Sequence, residues 1–275
     1  MALVIVLVVI AILGCSKSAD QTERPFLILY AFDEEGQLLS EAMTDRKIDT
    51  LLGRPVFTGA LEGKKVILAE SGIGMNNAAI TTQRLIDAYN PRAIIFSGIA
   101  GAIDTSIRIG DVVVASHWME HDYGYWGDDG FSPSGITVYL PSADSLTRIQ
   151  SFPADSALLA AARKIDELAL PFRNIGDRRP RLTVGGVGVS GNCFVDNSDR
   201  RIYLSGQFAA LITDMESQAV AQVCLINDLP FIAFRSASDL AGGSGSETAH
   251  AELEQFFTVA AENSTIVVRE FLKRL

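Results

Sequence analysis

The sequence predicts an α/β protein: a three-layer αβα domain around a central mixed, largely parallel sheet. Three observations carry this. Apolar runs of strand length alternate with stretches of helical periodicity along the chain. Several runs, Phe26–Phe32, Ala93–Phe96 and Phe231–Phe234, are apolar at every position, as strands covered on both faces must be. And 275 residues, 48% of them hydrophobic and 20% charged, suffice for one large core with a short leading segment.

In chain order, Met1 to Gly14 carries no charge. It is too short for a helix that spans a bilayer, which needs roughly 20 apolar residues, and fits the apolar core of a secretory signal. Residues 15–25 read as a polar tether and residues 26–275 as the folded domain. There the first strand is Phe26–Phe32, followed by a strand at Val66–Glu70. A helix is expected over Met75–Tyr89, where Ala78, Ala79, Leu85 and Ile86 share one face. Ala93–Phe96 is a buried strand ending in glycines, and Asp111–Ala115 is another strand. Tyr123–Ala143, with its aromatics, acids and prolines, reads as an irregular excursion, a lid or a subunit contact. Ser156–Leu170 reads as a helix and Leu182–Val189 as a glycine-rich strand. Leu211–Thr213 leads into a helix at Ser217–Ile226. Phe231–Phe234 is a buried strand, and Thr248–Leu275 a long closing helix.

The formal net charge of -10 argues against a nucleic-acid groove, since phosphate binding calls for a basic surface. The three histidines, His117, His121 and His250, are scattered. No His or Cys group has metal-ligand spacing, so neither a metal nor a cofactor is expected, and His121-Asp122 reads as a structural pair. Beyond Cys15, Cys193 and Cys224 are too few for a disulfide framework.

Three acids follow apolar strands: Glu35 after the first, Glu216 in Thr-Asp-Met-Glu-Ser, and Asp239 in Arg-Ser-Ala-Ser-Asp. In α/β domains ligands collect at the carboxyl ends of strands. Taken singly, each acid is more often a helix cap or a solvated side chain. Together on one scaffold they form a candidate site.

Several motifs lie in a family's order. They are Ala31-Phe32-Asp33-Glu34-Glu35, Ser71-Gly72-Ile73-Gly74, Ser97-Gly98-Ile99-Ala100-Gly101 followed by Gly110-Asp111-Val112-Val113-Val114, Ser190-Gly191-Asn192-Cys193-Phe194-Val195, Asp214-Met215-Glu216, and Arg235-Ser236-Ala237-Ser238-Asp239. From about Phe26 onward the chain resembles the nucleoside phosphorylase and nucleosidase superfamily, most of all its methylthioadenosine/S-adenosylhomocysteine nucleosidases. The resemblance implies hydrolysis of an adenine nucleoside in a homodimer. It makes Asp239 the acid that protonates the purine at N7, with Ser238 orienting it, and Glu35 the group that activates water, with Arg235 fixing that carboxylate. Glu216 would accept from the ribose hydroxyls and Met215 pack on the sugar. Phe194 would stack on the base, the Val195 backbone read its edge, and Gly101 belong to the same binding surface. Phosphorylase relatives hold phosphate with arginine and serine near Ser97–Gly101. Phe96 and Ile99 are apolar here, which favours water as the attacking group. Phe32 stands where many nucleosidases have methionine, which would reshape the sugar side. The alternatives are a phosphorylase, and a surface lipoprotein that binds nucleosides without turnover.

Ile12-Leu13-Gly14-Cys15 resembles a bacterial lipobox. It implies a lipid on Cys15, a membrane tether and an extracytoplasmic location.

Overall fold

The computed structural model describes residues 23–275. Strand β1 (Phe26–Tyr30) is buried at every position, with Phe26, Ile28 and Tyr30 in one core cluster and Leu27 and Leu29 in another. Helix α1 (Asp33–Ala42) follows, with Asp33, Glu34 and Glu35 in its first turn, where unpaired N–H groups favour anions. Strands β2 (Thr44–Leu51), β3 (Arg54–Leu61) and β4 (Lys64–Glu70) form an antiparallel meander, and β4 returns parallel to β1. Then come α2 (Met75–Tyr89), β5 (Ala93–Ala102), β6 (Val112–Val114) and β7 (His117–Glu120). Two hairpins follow, β8 (Gly124–Gly127) with β9 (Gly130–Pro133) and β10 (Ile136–Leu140) with β11 (Ser145–Ile149). The chain continues through β12 (Phe152–Pro153), α3 (Ser156–Asp166), β13 (Leu182–Val184), β14 (Val187–Ser190), α4 (Ser198–Phe208), β15 (Ala210–Asp214), α5 (Ser217–Ile226) and β16 (Phe231–Asp239), and closes with α6 (Ala249–Leu272).

The main sheet runs β12-β7-β14-β15-β5-β1-β4-β3-β2, with β16 branching from β5 to β6 and β13. It is mixed: β1 pairs parallel with β4 and β5, and β16 parallel with β5, while β15 meets β5 antiparallel. Leu39 of α1, Ala162 and Ile165 of α3, and Val268 and Phe271 of α6 pack in one cluster. Ala78 and Leu85 of α2 and Val220 and Cys224 of α5 pack in the other. That is the three-layer arrangement the alternating pattern predicts.

Several boundaries differ from expectation for identifiable reasons. The excursion over residues 123–143 is not irregular. A two-residue turn at Asp128-Asp129 joins β8 to β9, and Trp126 faces Phe131 across the pair at 5.4 Å. The strand over Leu182–Val189 breaks in two at Gly185 and Gly186, whose φ values of 125° and 74° no β-branched neighbour would adopt. The helix from Ser156 stops at Asp166, short of Leu170, and Pro171 follows. Strands β5 and β16 run well past their all-apolar cores, and these extensions build the cavity described next.

Candidate active site

A cavity of about 220 Å³ opens where the segment after β1 meets the ends of β5, β15 and β16. The extension of β5 is possible because two glycines leave room for charged side chains. A methyl group on Gly98 would sit 2.6 Å from Glu35 Oε1 and clash with the Arg235 guanidinium, and one on Gly101 would sit 2.9 Å from Asp239 Oδ1. Strand β16 carries an irregularity here: Ala237 pairs with Ala100 and Asp239 with Gly101, so Ser238 is an extra residue. In a regular strand neighbours point to opposite faces. The bulge lets Ser238 and Asp239 both line the cavity.

One side of the cavity is a cluster of three carboxylates around one cation. Arg235 is fully buried, with Nε 2.8 Å from Asp214 Oδ2, Nη2 3.4 Å from Glu216 Oε2, and Nη1 3.9 Å from Glu35 Oε1. Its guanidinium carbon lies 4.0 Å from the Phe96 ring centre, so Phe96 serves as a stacking face for the buried cation. Burial pulls the arginine's pKa down, but Asp214, Glu216 and Glu35 together hold it above its ordinary value. Glu35 accepts the Ala31 N–H at 2.6 Å and the Ile99 N–H at 2.8 Å. Burial pushes its carboxyl up, against the pull of Arg235 and these two amides. Glu216 accepts the Gly74 N–H at 2.9 Å, just before α2, and burial pushes it up to about 7 against Arg235. Asp214 anchors the cluster: it accepts from Ser190 Oγ and from the N–H groups of Glu216 and Ser217.

The other side has no arginine at its centre. Asp239 is 1% exposed, accepts the Ala241 N–H at 2.8 Å through Oδ1 and pairs its Oδ2 with Ser238 Oγ at 2.8 Å. Burial pushes its carboxyl up to about 6, opposed by those two hydrogen bonds and reinforced by the carboxylate of Glu252. An acid that holds a proton close to neutral pH is what such surroundings make.

The loop from Gly191 to Val195 closes the cavity with Cys193, Phe194 and Val195. Asn192 ties it down twice, donating its N–H to Asp122 and accepting the Met75 N–H, each at 2.9 Å. His121, Asp122 and Cys193 bring ligand-type atoms within 4.8 Å of one another. A guanidinium only donates, so Arg200 Nη2, 3.0 Å from His121 Nδ1, puts the imidazole proton on Nε2. That tautomer has no lone pair to give a cation there, and the group serves as a brace beneath the loop.

Of the residues singled out from sequence, Glu35, Gly101, Phe194, Val195, Met215, Glu216, Ser238 and Asp239 all line this cavity. Arg235 does not: it is sealed behind the cavity wall, where it pairs with Glu35 as expected but lies closer to Asp214. The cause is geometric, since β16 places Arg235 beside Gly98 and under the turn from β15 to α5. Glu35 follows the first strand, in the first turn of α1. Cys15 lies outside the described residues. Sequence reasoning missed Leu253 on the cavity wall, and it quoted Ile73 and Asp214 within motifs without giving either a task. The signal for Asp214 was present in the second acid of Asp-Met-Glu. Leu253 lies just past the first turn of the closing helix and carries no chemical signal of its own.

Residues 25–273 match the model of the phosphorylase superfamily, the class to which this fold and strand-end site correspond. A 5′-methylthioadenosine/S-adenosylhomocysteine nucleosidase of Psychromonas ingrahamii is 31% identical over 254 residues, covering 90% of this chain and 98% of the relative. The structure of the Neisseria meningitidis nucleosidase of that name, in complex with methylthio-immucillin-A, superposes with a TM-score of 0.77 at 27% identity, covering 92% of this chain and 100% of the other. Futalosine hydrolase of Helicobacter pylori superposes with a TM-score of 0.75 at 26% identity, covering 92% and 99%. The chain belongs to the phosphorylase superfamily and, within it, to the 5′-methylthioadenosine/S-adenosylhomocysteine nucleosidases.

Proposed function

We propose that this protein is an N-glycosyl hydrolase that cleaves the bond between adenine and ribose in nucleosides such as 5′-methylthioadenosine and S-adenosylhomocysteine. The observation that carries this reading is one cavity with a raised-pKa acid, Asp239, on one side and the Glu35–Glu216 carboxylates on the other. Asp239 passes its proton to N7 of the adenine as the C1′–N9 bond breaks, and the bonding pair stays on N9. The sugar then carries oxocarbenium character, which Glu35 and Glu216 favour electrostatically. Water attacks C1′ from the Glu35 side and gives up a proton to that carboxylate. Glu216 accepts from the ribose hydroxyls, Met215 covers the sugar, and Phe194 and Val195 hold the base.

Water is favoured over phosphate on charge grounds. The one buried cation behind the cavity, Arg235, is already committed to three carboxylates, and Arg108 is exposed and off the cavity wall. A dianion there would face unscreened negative charge. Purified protein incubated with methylthioadenosine in buffer with and without phosphate tests this. Free adenine and free methylthioribose at equal rates in both are expected. A sugar 1-phosphate that forms only with phosphate would mean phosphorolysis, and tight binding without turnover would mean a nucleoside-binding protein.

Two further parts of the proposal rest on the sequence. The lipobox-like Ile12-Leu13-Gly14-Cys15 supports residues 1–14 as a removed signal, residues 15–25 as a tether and a lipid on Cys15, with the domain over 26–275 facing an extracytoplasmic space. Mass spectrometry of the native amino terminus decides it, an unprocessed Met1 being the contrary result. A homodimer is supported by the resemblance and by the exposed side chains of Tyr125 and Trp126 on the β8–β9 hairpin. Sedimentation at a single mass of one chain would contradict it.

A further inference from the structure

Glu252 sits in the first turn of α6 and is 3% exposed, yet nothing in the reaction as described uses it. Its Oε2 accepts the Leu240 N–H at 2.9 Å. The next amide along, Ala241 N–H, donates to Asp239 Oδ1 at 2.8 Å. Two buried carboxylates therefore hang on consecutive peptide N–H groups, whose Cα atoms stand about 3.8 Å apart. That fixes both acids in one small volume at the end of β16. A helix turn that only needed to close the chain there is already capped without it: Thr248 Oγ1 accepts the Ala251 N–H, and Asp196 accepts those of Ala249 and His250.

The other charged groups around Asp239 sit differently. Asp196, from the loop before α4, is exposed, as is His250 of α6. Arg201 of α4 is half-buried, spends its Nε on the Ile103 carbonyl, and is drawn to Glu252, Asp104 and Asp239 alike. Water screens the exposed groups. Glu252 is the carboxylate among them that is screened least. Like charges in one low-dielectric site oppose a second ionisation.

We propose that Glu252 is a positioning residue for the proton donor: its buried carboxylate pins the end of β16 through Leu240 and favours the protonated form of Asp239. This rests on the reading of Asp239 as the general acid. Catalysis of this kind needs the acid loaded before the bond breaks. Burial is the largest cause of the raised pKa of Asp239, and Glu252 adds to it. Glu252 extends the pH range over which Asp239 is loaded, without touching substrate: Leu253, its neighbour, is the α6 residue on the cavity wall.

The test is the pH dependence of kcat and kcat/KM for methylthioadenosine in Glu252→Gln, Glu252→Asp, Asp239→Asn and the unaltered protein. The glutamine keeps an acceptor for Leu240 and removes the charge. The alkaline limb of Glu252→Gln is expected to move down by about 0.5–1 pH unit, so that turnover at pH 8 falls about 3- to 10-fold, with little change in KM. Glu252→Asp keeps the charge on a shorter arm, and its limb is expected to lie between the two; it decides the matter if the glutamine variant does not fold. A residue that merely ties the loop would lower stability and leave the limb in place. An unmoved limb in the folded variants, with Asp239→Asn inactive, overturns the role of Glu252 alone. An active Asp239→Asn overturns the assignment of the acid itself.

Discussion

The two sides of the cavity are built from the same side chain to opposite ends. Around Arg235, three carboxylates share one fully buried guanidinium, which opposes the upward push that burial gives Glu35 and Glu216. Around Asp239, the carboxyl meets an amide, a serine hydroxyl and another buried carboxylate, and burial drives it towards the neutral form. Burial raises Glu35, Glu216 and Asp239, so burial alone does not assign a role. What separates them is the set of partners: Glu35 and Glu216 take backbone amides beside one shared guanidinium, whereas Asp239 takes one amide and a serine hydroxyl and pairs with none of the described arginines.

The comparison can be broken from either side. The largest effect is expected from Asp239→Asn, whose amide cannot deliver a proton: turnover falls about 10²- to 10⁴-fold, with the fold intact by circular dichroism. Wild-type turnover would place the donor elsewhere. Next is Arg235→Met, which strips the cation from three buried carboxylates. A loss of about 3–5 kcal/mol in denaturant unfolding is expected, and a loss below about 1 kcal/mol would mean that the carboxylates are satisfied without it. Glu216→Ala removes an acceptor for the ribose hydroxyls. KM for ribosides is expected to rise about 10- to 100-fold, as for lost hydrogen bonds to a charged group, with discrimination against 2′-deoxy analogues lost. Unchanged discrimination would move sugar recognition to another residue.

The smallest effect concerns stability. Asp239 titrates near 6 in the folded chain against an ordinary 3.8, so the folded state resists its ionisation. Stability is therefore present below pH 4, is lost as pH rises from about 4 to about 6, and stays lower above that. Asp239→Asn has no such penalty. It is expected to be more stable than the unaltered protein at pH 8, by at most about 3 kcal/mol, and the gain is expected to vanish at pH 4. Thermal melts at the two pH values measure it, and an equal difference at both would show that the cause is not ionisation.

Much of this was legible in the sequence, and what was not has physical causes. The all-apolar runs at Phe26, Ala93 and Phe231 marked the buried strands, because a strand covered on both faces has no polar position. The β2–β3 hairpin was invisible: β2 is exposed at nearly every position and has no alternation to read. Helix α4 was missed too, since only Leu204 and Phe208 of it are buried. In the site, acids after apolar strands pointed to Glu216 and Asp239, which both line the cavity. The pairing of Arg235 with Glu35 is present at 3.9 Å, but Asp214 and Glu216 share the same guanidinium, because pairing across a sheet depends on register, which motif order does not carry. Glu252 had no signal at all, for its importance arises from the amide of Leu240, twelve residues away.

The central claim is a division of labour, with Asp239 serving the departing base and Glu35 serving water. A substrate whose leaving group needs no proton tests it most directly: a 5-methylthioriboside of 4-nitrophenol, followed by release of nitrophenolate. With this substrate Asp239→Asn is predicted to recover most of the turnover it loses on methylthioadenosine, while Glu35→Gln stays impaired on both. Parallel losses in the two variants on both substrates would contradict the account.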